Sequence, residues 1–191
     1  MQQGALMTDK IHSGTRFGTF FIKAFNSPVV SVVLLAVLAG TGPANAHDKA
    51  TGVVKQRMDA MGMLAGSMKA IAGQVKSPSP DPDAISVAAQ ALRDHAGDAM
   101  LEGFPEGSLQ DPTEARPKIW KEWERFSELA ERLALQGQGL ILAAANPPSG
   151  AAPESSTPHD LESYATLPVD ELFLLTAKTC SACHQDYRVK K

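Results

Sequence analysis

Four stretches with apolar residues at three- and four-residue spacing, and none with convincing strand alternation, fill the chain from residue 47 onward. The first spans about His47 to Val75 and is stopped by Pro78-Ser79-Pro80-Asp81-Pro82, which cannot continue a helix. The second runs from about Asp83 to Leu101, with Ile85, Ala88, Leu92, Ala96 and Ala99 on one face, and ends at Gly103-Phe104-Pro105-Glu106-Gly107-Ser108. The third opens near Pro117, carries Ile119, Trp123, Phe126, Ala130 and Leu133, weakens around Gly137 and Gly139, and stops before Pro147-Pro148. The fourth opens near Pro168, places Asp170 and Glu171 where the helix dipole favours acids, and reaches about Arg188. Amphipathic segments of this number without strands predict an all-α fold, an antiparallel four-helix bundle. The Pro-, Ser-, Ala- and Gly-rich stretch 146–167 reads as a long irregular loop between the last two helices.

The first 46 residues stand apart. Lys10, Arg16 and Lys23 precede the apolar run Val29–Leu38, and Ala44-Asn45-Ala46 supplies the small-x-small ending that a signal peptidase cuts. The run is about half the length a bilayer span needs. Residues 1–46 are therefore expected to be a signal peptide cleaved after Ala46, leaving one exported, periplasmic domain over 47–191 with no membrane attachment. Loss of Lys10, Arg16, Lys23 and Asp9 from the 18 bases and 21 acids leaves 15 against 20, a net charge near −5. A mildly acidic domain of this kind has no reason to bind nucleic acid.

The two cysteines of the chain lie in Cys180-Ser181-Ala182-Cys183-His184. In an exported protein a lone pair at this spacing would close a strained loop that staples nothing. Cys-x-x-Cys-His is instead the pattern of covalent c-type haem attachment: two thiols on one side of a helix reach the vinyl groups, and the next residue offers an imidazole to the iron. A structural zinc site lacks a second ligand cluster in the sequence, and a thioredoxin-like pair lacks its βαβ setting. The opposite face of the iron decides function, and a thioether there raises the reduction potential. Met58, Met61, Met63 and Met68 all lie in the first helix; at about 100° per residue, Met61 and Met68 share a face, Met58 sits at its edge and Met63 points away. Spacing alone leaves open whether any of them is a ligand or all simply fill the core.

With the haem motif near the C-terminus, the chain resembles the class II cytochromes c, the cytochrome c′ family. Lys55-Gln56-Arg57 followed by Met61, Phe104-Pro105-Glu106-Gly107-Ser108, Ile119-Trp120, and Cys180 to Arg188 ending His184-Gln185-Asp186-Tyr187-Arg188 carry the resemblance. It implies a cytochrome c′-like bundle holding one haem c, bound through Cys180 and Cys183, with His184 on the iron. It places Arg57 near a haem propionate, Met61 on the open face of the iron as in the low-spin branch, and Arg188 near the haem beside His184. The implied function is that of a single-electron carrier between redox partner proteins, not an enzyme. The alternative is a five-coordinate cytochrome c′ that binds nitric oxide or carbon monoxide. The family commonly forms a homodimer through its first two helices. Trp120 and Trp123 read as packing residues of the third helix, His95 as a flank or core histidine, and His47 and His159 as residues without partners.

Overall fold

The computed structural model describes residues 49–152 and 159–189, so the expected signal peptide over residues 1–46 and His47 lie outside the described residues. Those described are helical: α1 (Gly52–Val75), α2 (Pro82–Asp94), α3 (Asp98–Leu101), α4 (Lys118–Lys121), α5 (Trp123–Leu142), α6 (Leu161–Thr166) and α7 (Val169–Tyr187). The four long ones, α1, α2, α5 and α7, form the expected four-helix bundle. α1 packs chiefly on α2, α2 on α5 and α5 on α7, and a thinner α1–α7 contact closes the ring. Leu64 and Ile71 of α1, Ile85 and Leu92 of α2, Phe126 and Leu133 of α5, and Leu172 and Leu175 of α7 meet in the core. Each such side chain, taken fully out of water, contributes about 1.5–3 kcal/mol.

Local chemistry sets the element ends. The Asp81 carboxylate accepts from Asp83 N at 3.0 Å and Ala84 N at 3.3 Å, and Pro82 takes the first helical position, so α2 is capped as its sequence demands. α1 begins at Gly52, with φ +56° after the extended Thr51, five residues later than the hydrophobic pattern alone placed it.

Other expectations need correction. The second segment is not one helix: α2 stops at Asp94, and Gly97, with a φ of +57°, sets α3 off on a new course. There the Gly97 N–H donates to Ala130 O at 3.0 Å, and a Cβ would lie 3.2 Å from that of Ala134, so the kink presses the chain onto α5. The third segment also divides, at Glu122 (φ −127°, ψ 41°), into α4 and α5. Gly137 and Gly139 do not weaken α5; both are buried where neighbours approach too closely for a side chain.

The stretch 146–167 is not all irregular. It contains α6, capped by Asp160, whose Tyr164 is among the largest fully buried side chains of the protein. A Cβ on Gly139 would sit 2.6 Å from that of Tyr164, so the glycine is what lets α6 dock on α5. Asn146 Nδ2 donates to Ala165 O at 3.0 Å and Leu167 O at 2.7 Å, and Ser149 N donates to the Asp170 carboxylate at 3.0 Å, which ties the connection to the start of α7.

Candidate haem-binding site

α7 buries Val169, Leu172, Leu175, Thr176 and Thr179 on one face, and the next turn of that face brings Cys180 and Cys183 to the core margin. Both cysteines are half-buried free thiols. Burial pushes the Cys180 thiol above its ordinary pKa, and burial with the neighbouring Cys180 and Asp186 pushes Cys183 up to about 11. Such thiols stay protonated at neutral pH, unlike the depressed thiolates of redox or zinc cysteines. Among the described residues, no group of three or more His, Cys, Asp or Glu side chains could hold a bare metal ion.

His184 follows on the exposed side of α7. Desolvation lowers its pKa, the charge of Arg188 lowers it further, and Glu114 opposes both. Arg188 caps the helix: its N–H donates to His184 O at 3.2 Å and its Nε to Glu114 Oε2 at 2.7 Å. The segment after His184 is pinned to residues 114–122. Arg116 N donates to Tyr187 O at 2.9 Å, Val189 N to Glu114 O at 2.7 Å, and Ala115 and Arg188 form an antiparallel bridge. Lys118 Nζ reaches Asp186 at 3.1 Å, and the buried Tyr187 hydroxyl donates to Glu122 Oε2 at 3.2 Å.

On α1, Met61 and Met68 are half-buried against the core, Met58 is half-buried, and Met63 is 50% exposed and faces outward with Gly62 and Gly66. Arg57, one turn before Met61, is only 5% exposed. Its Nε donates to Gly103 O at 2.9 Å, Nη1 to Thr113 Oγ1 at 3.1 Å, and Nη2 to Ser108 O and Oγ at 3.0 and 2.7 Å. The guanidinium carbon lies 4.4 Å from the centre of the Phe104 ring.

Every one of these partners is neutral, and burial alone lowers the Arg57 pKa. A buried cation whose bonds go only to carbonyls, hydroxyls and a ring is uncompensated, and an anionic group beside it would lower its cost. A haem propionate is such a group. Half-buried thiols on α7 and half-buried thioethers on α1 supply the sulfur chemistry the same cofactor needs, so the residues fit haem.

The remaining candidates sort plainly. Trp120 is half-buried with Nε1 donating to Phe104 O at 3.0 Å, and Trp123 is 40% exposed beside Phe126. His95 Nδ1 bonds Ala91 O within its own helix at 2.8 Å. His159, read as partnerless, instead meets the Tyr164 hydroxyl at 2.9 Å. Ser108, Thr113 and Glu114 were not singled out from the sequence. Ser108 ends the quoted Phe104–Ser108 motif, but nothing near Thr113 or Glu114 marks them.

The family model described as cytochrome C′ matches residues 52–158, a stretch that ends ahead of Cys180. Cytochrome c-556 of Agrobacterium fabrum (strain C58) is 30% identical over 148 residues, covering 74% of this chain and 84% of its own. Among solved structures, cytochrome c′ from Thermochromatium tepidum is similar with a TM-score of 0.56 and 22% identity, covering 72% of this chain and 95% of its own. Cytochrome c prime from Shewanella frigidimarina matches with a TM-score of 0.56 and 23% identity, over 72% and 94%. At these identities the two structures share the fold.

Proposed function

Since the chain belongs to the cytochrome c′ family, we propose that it is an exported, periplasmic single-electron carrier whose one haem c has six-coordinate iron. When bound, haem c supplies the one-electron Fe(III)/Fe(II) couple. Cys180 and Cys183 hold the macrocycle through thioether bonds, and His184 ligates the iron from α7. Met61 ligates from α1, and its soft sulfur favours the reduced state. Arg57 offsets the charge of a propionate from the buried end of the same α1 face. Arg188 adds positive charge beside His184.

The observation that carries this reading is the half-buried Met61 on the face of α1 that also buries Arg57, with the thiols of α7 half-buried on the same core. Met63, exposed in an outward groove, is poorly placed for the iron. With His184 and Met61 both engaged in holding haem, a diatomic ligand would have to compete with the Met61 thioether. The chain then passes electrons between redox partner proteins and transforms no substrate.

The open groove between α1 and α2, lined by Met63, Ala70, Val87 and Ala91, leaves Val87 68% exposed and fits self-association through these helices.

One preparation tests the central reading. Holoprotein from the periplasmic fraction, with His47 as its first residue, should give a low-spin spectrum with sharp α and β bands on reduction. Met61→Ala should turn it high-spin and open it to carbon monoxide. A high-spin wild type would refute six-coordination in favour of the gas-binding alternative, and a Met61→Ala spectrum like the wild type would move the ligand to Met58 or Met68.

A further inference from the structure

Arg57 lies one turn before Met61 on α1 and Arg188 one turn after His184 at the end of α7, and the Thr113 hydroxyl links Arg57 to the backbone segment that pairs with Arg188. Thr113 Oγ1 accepts from Arg57 Nη1 at 3.1 Å and from Ala115 N at 3.2 Å. Ala115 pairs with Arg188 in an antiparallel bridge whose bonds run from Arg116 N to Tyr187 O and from Val189 N to Glu114 O, and the Arg188 N–H returns to His184 O at 3.2 Å. A polar path therefore runs from α1 through Thr113 and Ala115 to the last turn of α7.

From this path we infer that Thr113 is a positioning residue, fixing the Met61 turn of α1 against the His184 end of α7. The inference rests on the reading that α1 and α7 face the iron from opposite sides.

Two features single out the hydroxyl. A threonine oxygen has two acceptor lone pairs, and both are used here, by donors from the two sides of the path. Direct packing between α1 and α7 is the thinnest in the bundle ring, so a polar tie between them adds to a contact that side-chain packing leaves small. Without the hydroxyl, Arg57 keeps Gly103 and Ser108, and Ala115 keeps its bridge to Arg188, so both halves survive while the joint between them is lost. Once the joint is loosened, the α1 turn over the iron moves more freely, and any side chain it holds there yields more readily to an incoming ligand.

The test compares holoprotein carrying Thr113→Val, which keeps the shape and removes the acceptor, with Thr113→Ser, which keeps the hydroxyl. Carbon monoxide association with the ferrous protein is the readout, supported by the midpoint potential. A hydrogen bond to a charged donor corresponds to about ten- to a hundredfold in an equilibrium. Thr113→Val should accordingly speed association about tenfold or more and shift the potential, while Thr113→Ser stays within about twofold of wild type. Ile85→Val, a core change on α2 away from the path, should lower stability and leave the rate alone.

A Thr113→Val protein that binds carbon monoxide at the wild-type rate would overturn the inference, as would an Ile85→Val protein that accelerates equally. Failure of the six-coordinate reading shows separately, as a high-spin wild-type spectrum. In that case carbon monoxide still enters on the α1 side, and the same pair of variants decides the matter.

Discussion

Replacing Gly139 by alanine should destabilise this protein, although the same change at Gly73 should stabilise it. Both glycines lie inside long helices, α5 and α1, where alanine is favoured over glycine by about 1 kcal/mol. The surroundings differ. A Cβ at Gly73 meets nothing within 4 Å, whereas one at Gly139 would sit 2.6 Å from Tyr164 Cβ and 3.2 Å from Leu172 Cδ2. Tyr164 Cβ is the root of a fully buried side chain, so relief requires α6 itself to move off α5.

Overpacking of a tight core costs about 1–3 kcal/mol, and a contact this short belongs at the upper end. Subtracting the propensity gain leaves a net loss of about 2 kcal/mol, or a fall in Tm of about 4–8 °C for a chain of this size. Gly73→Ala should raise Tm by about 2–4 °C. Guanidinium and thermal unfolding of the holoproteins by circular dichroism measure both. A Gly139→Ala protein as stable as wild type would mean that α6 does not seat Tyr164 against α5 as described.

The chain's two tyrosines should both resist ionisation. Burial raises the Tyr164 pKa, and burial with the hydrogen bond to Glu122 pushes Tyr187 up to about 12. A raised folded-state pKa gives stability that is complete below the unfolded value near 10 and is lost as pH climbs toward about 12. Tyrosinate absorbance of the folded protein should therefore develop at higher pH than that of free tyrosine and rise with alkaline unfolding; a tyrosine that titrates normally while the fold persists would contradict the burial. On the outward groove, Val87→Glu should convert a homodimer to monomer in sedimentation velocity without changing the haem spectrum. A wild type that sediments as a monomer at every concentration would remove the self-association reading.

Much of the architecture was legible because periodicity and punctuation are local. The apolar spacing in α1, α2, α5 and α7 and the stops at Pro78–Pro82 and Gly103–Ser108 are properties of a few neighbouring residues, and they marked the four long helices. Two of the features that eluded that reading show why. The break at Gly97 depends on how closely α2 meets Ala130 and Ala134, and α6 forms where Gly139, far back in the chain, leaves room for Tyr164.

For the site, the order of residues alone carries the proposed chemistry. Cys180, Cys183 and His184 lie within five residues, and a motif that short needs no fold to be recognised. Helical geometry further turned Met61 and Met68 away from Met63, since angle per residue is the same in any helix. What only the tertiary structure decided is the electrostatic and mechanical setting. That Arg57 bonds only neutral groups among the described residues, and that Thr113 meets Arg57 while Glu114 meets Arg188, follows from segments some 50 to 75 residues apart meeting in space. Such contacts arise from packing between elements, and hydrogen bonds across that separation leave no period or spacing along the chain.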